Sequence, residues 1–285
     1  MRAIVHHPPY DDTAKWALHR SLLKELPFDA VRAQLPAKVI YWHDGKRVGD
    51  YGEKCLGLLA DTYNDLGLCL YWTFEDSKEY TQAQNHDAHE GVALWLKNRT
   101  SLKGVYLSNE PQRWAIGQGI AQYAETLEPL IPRLETNWIP WFAPTLHGWT
   151  RWQEPTWTKE EERAAWLQRL MRVVDGTPWL SMQRLALNAY IDPSWPISAI
   201  VQKLAGFEWA HLSEIGDHRS TPPRTVTQRR VAGRRSAQMI LALEKAGFRH
   251  TTLYDLNDDK RGFSFVQGDL VDRERVDAFL SAIAQ

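Results

Sequence analysis

The sequence predicts an α/β fold, a single (β/α)8 TIM barrel spanning residues 1–285, and three observations predict it. Short apolar runs alternate with polar loops and amphipathic stretches along the chain, the pattern of βα units on a parallel sheet. Eight such units can be counted, the number a closed barrel needs. A length of 285 residues suits one barrel of about 250 residues with decorated loops.

Residues 3–6 read as the first strand and 13–26 as the helix behind it. The run KVIYW at 38–42 reads as strand two. A helix over 52–66 stops at Gly67, a residue suited to a left-handed cap, and 68–73 is strand three. A helix at 89–97 precedes strand four at 104–108. Residues 123–134 are helical with interruptions at Pro129 and Pro132, and 138–142 form strand five, where Trp138 and Trp141 alternate as strand residues do. A strongly patterned helix covers 159–174. The sixth strand is placed at 185–189, with 179–182 competing for the role. A helix at 197–205 turns at Gly206 into strand seven at 209–212. The helix at 234–246 is closed by Gly247 and leads to strand eight at 250–256, with a last helix at 271–284.

Composition narrows the function classes. With 44% hydrophobic and 24% charged residues the chain can bury a large core. Lysine and arginine number 34 against 35 acids, so the net charge of −1 attracts neither nucleic acid nor an anionic membrane. The basic stretch 219–235, with Arg219, Arg224, Arg229, Arg230, Arg234 and Arg235, reads as a solvated loop and helix face, a phosphate patch being the alternative. No aromatic residue interleaves with those arginines as a single-strand binder requires. Cys55 and Cys69 have no CxxC partner and read as buried free thiols. The start, MRAIVHHPPY, has no apolar core segment, so the chain as given reads as cytoplasmic, with secretion open if a leader has been removed. GQG at 117–119 lacks a preceding strand and GxSxG is absent, so neither a nucleotide cofactor nor a nucleophile-elbow serine is implied.

Fourteen tryptophans exceed what a core of this size usually needs. Sugar rings have apolar C–H faces that stack on indoles, so the excess hints at carbohydrate, although tryptophan is also core filler.

In a β/α barrel, functional groups sit at the carboxyl ends of the strands. Strand four, GVYLS, runs into Asn109-Glu110-Pro111, and strand seven, WAHLS, into Glu214-Ile215-Gly216. Two glutamates therefore occupy equivalent strand ends three units apart, where side chains can meet over the central cavity. Retaining hydrolysis of a glycosidic bond needs such a pair about 5–5.5 Å apart, one protonated and one ionised. Like-charge coupling and unequal burial separate the two roles. Taken singly, each glutamate also reads as a helix cap or a partner for a basic loop.

Asn109-Glu110-Pro111 together with Ser213-Glu214-Ile215-Gly216 resembles clan A of the glycoside hydrolases. The resemblance covers most of the chain in order and spacing, and residues 254–268 are similar to the strand-eight region of family 39. It implies a β/α barrel, a retaining mechanism, Glu110 as acid/base, Asn109 on the sugar 2-hydroxyl and Glu214 as nucleophile. It also implies that Tyr190, in Asn188-Ala189-Tyr190 after strand six, hydrogen-bonds the nucleophile. Two positions depart from the clan. It often carries an arginine near strand two and a tryptophan ending strand eight, where this chain has Tyr41-Trp42-His43 and Tyr254-Asp255-Leu256.

Further substrate contacts are expected around the same strand ends. Trp138, Trp141, Trp149, Trp152 and Trp157 crowd the strand-five region with His147, and Trp149 or Trp152 would serve as a sugar platform. His6, Trp42, His43, Trp72, Glu75 and Tyr254 are strand-end residues; His6 and His43 would orient sugar hydroxyls or act as buried structural histidines. His86, Asp87, His89 and Glu90 suggest a metal, yet the spacing also fits ordinary capping, and HExxH is absent. The resulting expectation is a retaining hydrolase of oligo- or polysaccharides, monomeric or weakly oligomeric, needing neither metal nor coenzyme. A barrel that binds sugar without cleaving it, and a barrel using both glutamates for other proton transfers, are the alternatives.

Overall fold

The computed structural model describes residues 1–9, 12–35, 37–40, 50–77, 79–109, 126–143, 145–147, 184–191, 193–217, 223–254, 256, 264–267 and 270–285. Nine strands form one sheet in the order β5-β4-β3-β2-β1-β9-β8-β7-β6, with parallel pairing of β3 to β4, β4 to β5, β8 to β9 and β1 to β9. The order begins on β5 (Trp141–Phe142) and ends on β6 (Thr145–His147), consecutive pieces of one stretch of chain. Counted as one strand, they make the fold the (β/α)8 barrel that the sequence predicts.

The chain divides into two compact units. The first comprises Met1–Arg32, Gly148–Pro155 and Leu187–Gln285. Here β1 (Arg2–His6) pairs with β9 (Thr251–Leu253) in the register Arg2 to Thr251 and Ile4 to Leu253. Helix α1 (Thr13–Glu25) starts on Asp12, whose side chain accepts from the Lys15 N–H, and it buries Trp16, His19, Leu22 and Leu23, the spacing of a single helical face. Strand β7 (Ala186–Ile191) and strand β8 (His211–Asp217), with helix α6 (Ile197–Leu204) between them, are buried along their whole length, as parallel strands under helices must be. Helix α7 (Val226–Lys245) begins with a reciprocal capping box between Thr225 and Gln228 and lies against α8 (Arg273–Ile283), capped by Asp272. A short antiparallel pair, β10 (Val266–Gln267) with β11 (Leu270–Val271), precedes α8.

The second unit comprises Ala33–His147 and Thr156–Ala186. A short helix α2 (Ala37–Ile40) precedes α3 (Asp50–Asp65), then come β3 (Cys69–Thr73), α4 (Gln82–Arg99), β4 (Leu102–Tyr106), α5 (Ile131–Thr136), β5 and β6. Helix α4 starts seven residues earlier than predicted, because Thr81 and Gln84 form a second capping box.

Three predictions are corrected. Strand two is β2 (Ala30–Ala33, sequence AVRA), and of the run predicted for it, residues 38–40 belong to α2 while 41 and 42 lie outside the described residues. The β-branched residues of that run mislead because strand propensity mostly reports burial on a pleated surface, which context overrides. Trp138 is not a strand residue: it follows α5, is 85% exposed and has φ +54°. Cys69 is partly exposed, whereas Cys55 is buried as expected. The helix predicted at 159–174 lies outside the described residues.

Trp138 occupies a position that glycine holds elsewhere. After α5 the Trp138 N–H donates to the Glu135 carbonyl and the Ile139 N–H to Leu134. The same pair of bonds closes α3 at Gly67, with φ +67°, and α7 at Gly247, with φ +97°. An L-residue bearing a Cβ costs about 1–2 kcal/mol more than glycine in that conformation.

Helices α7 and α8 meet at Gly233, where a Cβ would stand 2.2 Å from the carbonyl oxygen of Arg275. Alanine is a better helix former by about 1 kcal/mol, but the clash involves backbone and cannot relax cheaply. Gly233→Ala is therefore expected to lower the unfolding free energy by roughly 1–3 kcal/mol, read from urea midpoints.

Buried histidines make the first unit acid-sensitive. His211 stacks on His250 at 4.1 Å, and burial with the neighbouring His250 pushes His211 down to about 3. Burial, reinforced by His19 and His7, holds His6 well below the usual range. Both are neutral when folded, while the unfolded chain binds protons below about pH 6.5, so stability falls as pH falls from there. The expected loss is about 1.4 kcal/mol per pH unit for each fully neutral histidine, and urea midpoints at pH 7 and pH 5 measure it.

Candidate active site

Glu214 sits at the middle of β8 at 3% exposure, in a strand that runs further than predicted. Burying a carboxylate is expensive unless charge and hydrogen bonds compensate it. Two side chains do so. The Arg32 guanidinium, on β2, donates through Nη1 to Glu214 Oε1, and the same nitrogen lies 3.0 Å from the Ser213 carbonyl oxygen. The Tyr190 hydroxyl, at the end of β7, donates to Oε2. Both carboxylate oxygens thus accept charge-assisted bonds, the arrangement that suits an ionised group.

Residues beside these partners fix their register. The Ser213 hydroxyl lies 2.7 Å from Asn188 Oδ1 and 3.1 Å from the Leu187 carbonyl oxygen, tying β8 to β7 one residue before Glu214. Beyond it, Arg235 of α7 grips Asp217 at the end of β8, its Nε 2.8 Å from each carboxylate oxygen. Tyr254, half-buried after β9, packs its ring edgewise on Tyr190 at 5.4 Å, and His7 packs on Tyr254 at 6.1 Å. Glu214, Tyr190 and Tyr254, three of the residues singled out in the sequence, therefore form one cluster with Arg32.

Arg32 was not anticipated. The arginine expected near strand two is present, and it went unseen because strand two was placed at 38–42. Its partner is 182 residues away in sequence, so nothing local marks it as more than a surface charge.

In the second unit, Asn109 follows β4 and bridges in parallel to Thr145 of β6. The Thr145 hydroxyl donates to Asn109 Oδ1 at 2.7 Å, which sets the plane of the amide. Trp72, on β3, is 1% exposed, so its indole is packed into the core instead of presenting a face. His147 lies on β6, its side chain beyond description. Glu110, Trp42, His43, Trp149 and Trp152 lie outside the described residues.

Other candidates take structural partners. His6 is buried with its Nε2 3.0 Å from His19 Nδ1 and its ring against Trp16. In α4, His89 Nε2 lies 2.8 Å from Asp76 Oδ1, while Asp87 and Glu90 engage Arg133. His86 meets Gln82, and burial, with a smaller contribution from His89, lowers its pKa. In the basic stretch, Arg230 pairs with Glu274 and Arg235 with Asp217.

No family model and no curated protein matches the sequence. Solved structures do. A family 39 glycoside hydrolase from Bacteroides cellulosilyticus WH2 aligns at TM-score 0.65 and 13% identity over 99% of this chain, which spans 63% of that one. An endocellulase from Pyrococcus horikoshii, in complex with cellotetraose, aligns at 0.63 and 13% identity over 99% of this chain and 92% of its own. The catalytic domain of a mannanase from Streptomyces sp. SirexAA-E aligns at 0.54 and 15% identity over 95% and 80%. These neighbours are clan A glycoside hydrolases, and the barrel of this chain is the fold they share.

Proposed function

We propose that the chain is a retaining glycoside hydrolase acting on β-linked oligo- or polysaccharides, with Glu214 as nucleophile and Glu110 as acid/base. The observation that carries the reading is the clamping of both Glu214 oxygens by Arg32 on β2 and Tyr190 on β7. A nucleophilic carboxylate must be ionised, oriented and partly desolvated before substrate arrives, and two rigid donors accomplish all three.

In the first step a Glu214 oxygen attacks the anomeric carbon while Glu110 gives its proton to the departing glycosidic oxygen. The carboxylate charge is neutralised as the ester forms, and the bonds from Arg32 and Tyr190 weaken. In the second step Glu110 takes a proton from water, the hydroxide adds to the anomeric carbon, and Glu214 leaves as a carboxylate again. Its recovered bonds to Arg32 and Tyr190 favour that departure. Asn109, with its carbonyl oxygen engaged by Thr145, presents its NH2 toward the sugar 2-hydroxyl. The scheme uses no metal or coenzyme.

A mechanism-based 2-fluoro-glycoside tests the assignment. Stoichiometric inactivation with the label on the peptide containing Glu214 is expected. A label on another residue sinks the assignment, and sugar binding without turnover of any aryl glycoside points to a barrel that only binds.

A further inference from the structure

We infer that Trp138 is a second carbohydrate contact, a flat platform at the end of the strands opposite to Asn109, on which a β-linked polysaccharide chain rests. The inference builds on the glycosidase reading by naming where an extended substrate is held away from the reacting bond. Trp138 precedes β5 whereas Asn109 follows β4, and these strands are parallel, so the two lie at opposite strand ends within one unit.

The main observation is the backbone. The turn after α5 makes the same two hydrogen bonds as the turns at Gly67 and Gly247, yet it carries the largest side chain where the others carry none. Strain of this kind persists only where the surroundings over-determine it. They do so here. Lys97 donates to the Asn137 carbonyl oxygen at 2.5 Å, and the Asn137 amide donates to Glu90 at 3.0 Å and to the Arg133 carbonyl oxygen at 2.8 Å. The strain yields no packing, because the indole is 85% exposed. What it secures is a fixed turn that carries the indole out into solvent.

The surroundings select the occupant. Among the described residues, the other large exposed apolar side chains are Met1, Tyr51, Leu58, Val226, Val231 and Leu270, none of them on α4, α5 or this turn. An apolar protein partner covers a wide patch with one central anchor. Here a single ring stands among hydrogen-bonding side chains, Lys97, Glu135 and Asn137. That surface matches a pyranose, whose apolar face covers one indole while its rim of hydroxyls meets polar neighbours.

Native gels containing hydroxyethylcellulose, xyloglucan or galactomannan test the platform, using the wild type, Trp138→Gly and Trp138→Phe. At least one polysaccharide is expected to retard the wild type. Trp138→Gly should raise the apparent dissociation constant roughly fivefold or more, with Trp138→Phe between the two. Turnover of a nitrophenyl monosaccharide should stay within about twofold for both variants. Removing the strain should also raise the Tm of Trp138→Gly by roughly 2–4 °C, so weaker binding cannot reflect unfolding. Wild-type retardation retained by Trp138→Gly overturns the proposal, as does a wild type retarded by none of the three. Light scattering that shows a wild-type dimer and a Trp138→Gly monomer also overturns it, assigning the ring to self-association. Weakened retardation in a protein that turns over no glycoside sinks the hydrolase reading and leaves the platform standing, whereas turnover with unchanged retardation does the reverse.

Discussion

Arg32→Met is expected to lower the unfolding free energy by about 3–5 kcal/mol, because it leaves the Glu214 carboxylate buried with its cation gone. Methionine fills the stem of the arginine but donates nothing, so the carboxylate keeps the bond from Tyr190 and loses its salt bridge. Urea denaturation at pH 7 measures the loss. The double variant Arg32→Met/Glu214→Gln separates the charge from the shape: replacing both members of a buried pair with neutral groups is often nearly neutral, so most of the lost stability should return. Activity should not return with it. A single variant as stable as the wild type would show that the contact carries no charge in solution.

Glu214→Ala is expected to lower kcat by a factor on the order of 10⁴–10⁶, the scale seen when an enzymatic nucleophile is removed. Added azide should restore turnover of an activated aryl β-glycoside and yield the α-glycosyl azide, because the anion enters the space vacated by the carboxylate and displaces the leaving group once. Product anomer by NMR decides the point. Glu110→Ala should instead harm substrates with poor leaving groups most, since an activated phenolate departs without a proton. A Glu214→Ala protein that azide does not rescue, in a fold shown intact by circular dichroism, argues against the nucleophile.

Much of the barrel was legible because its punctuation is local. Gly67, Gly206 and Gly247 all adopt positive φ at helix ends, where the sequence placed the turns into strands three, seven and eight. Strands β7 and β8 are buried throughout and β3 from its second residue, so an apolar run marks each of them, although 179–182 competed for the place of β7. Strand β2 was illegible for the opposite reason. Its four residues are all buried, yet one is an arginine, and the carboxylate that makes that tolerable lies far along the chain. Glu214 and Tyr190 could be chosen from the strand ends that the sequence predicts, although Glu214 lies mid-strand in β8, whereas the third member of their cluster could not. Trp138 misled because its alternation with Trp141 imitates a strand, and the left-handed turn that separates them has no glycine to announce it.

The helix starts differ in a way that orders how the molecule should come apart in acid. Helices α4 and α7 are fastened by threonine and glutamine, which carry no ionisable proton in the acid range. Helices α1 and α8 are fastened by Asp12 and Asp272, and burial raises the pKa of Asp272. Protonating a carboxylate weakens it as an acceptor for the N–H groups of the first turn. Amide exchange at mildly acidic pH should therefore quicken first at the opening turn of α8, while those of α4 and α7 stay protected.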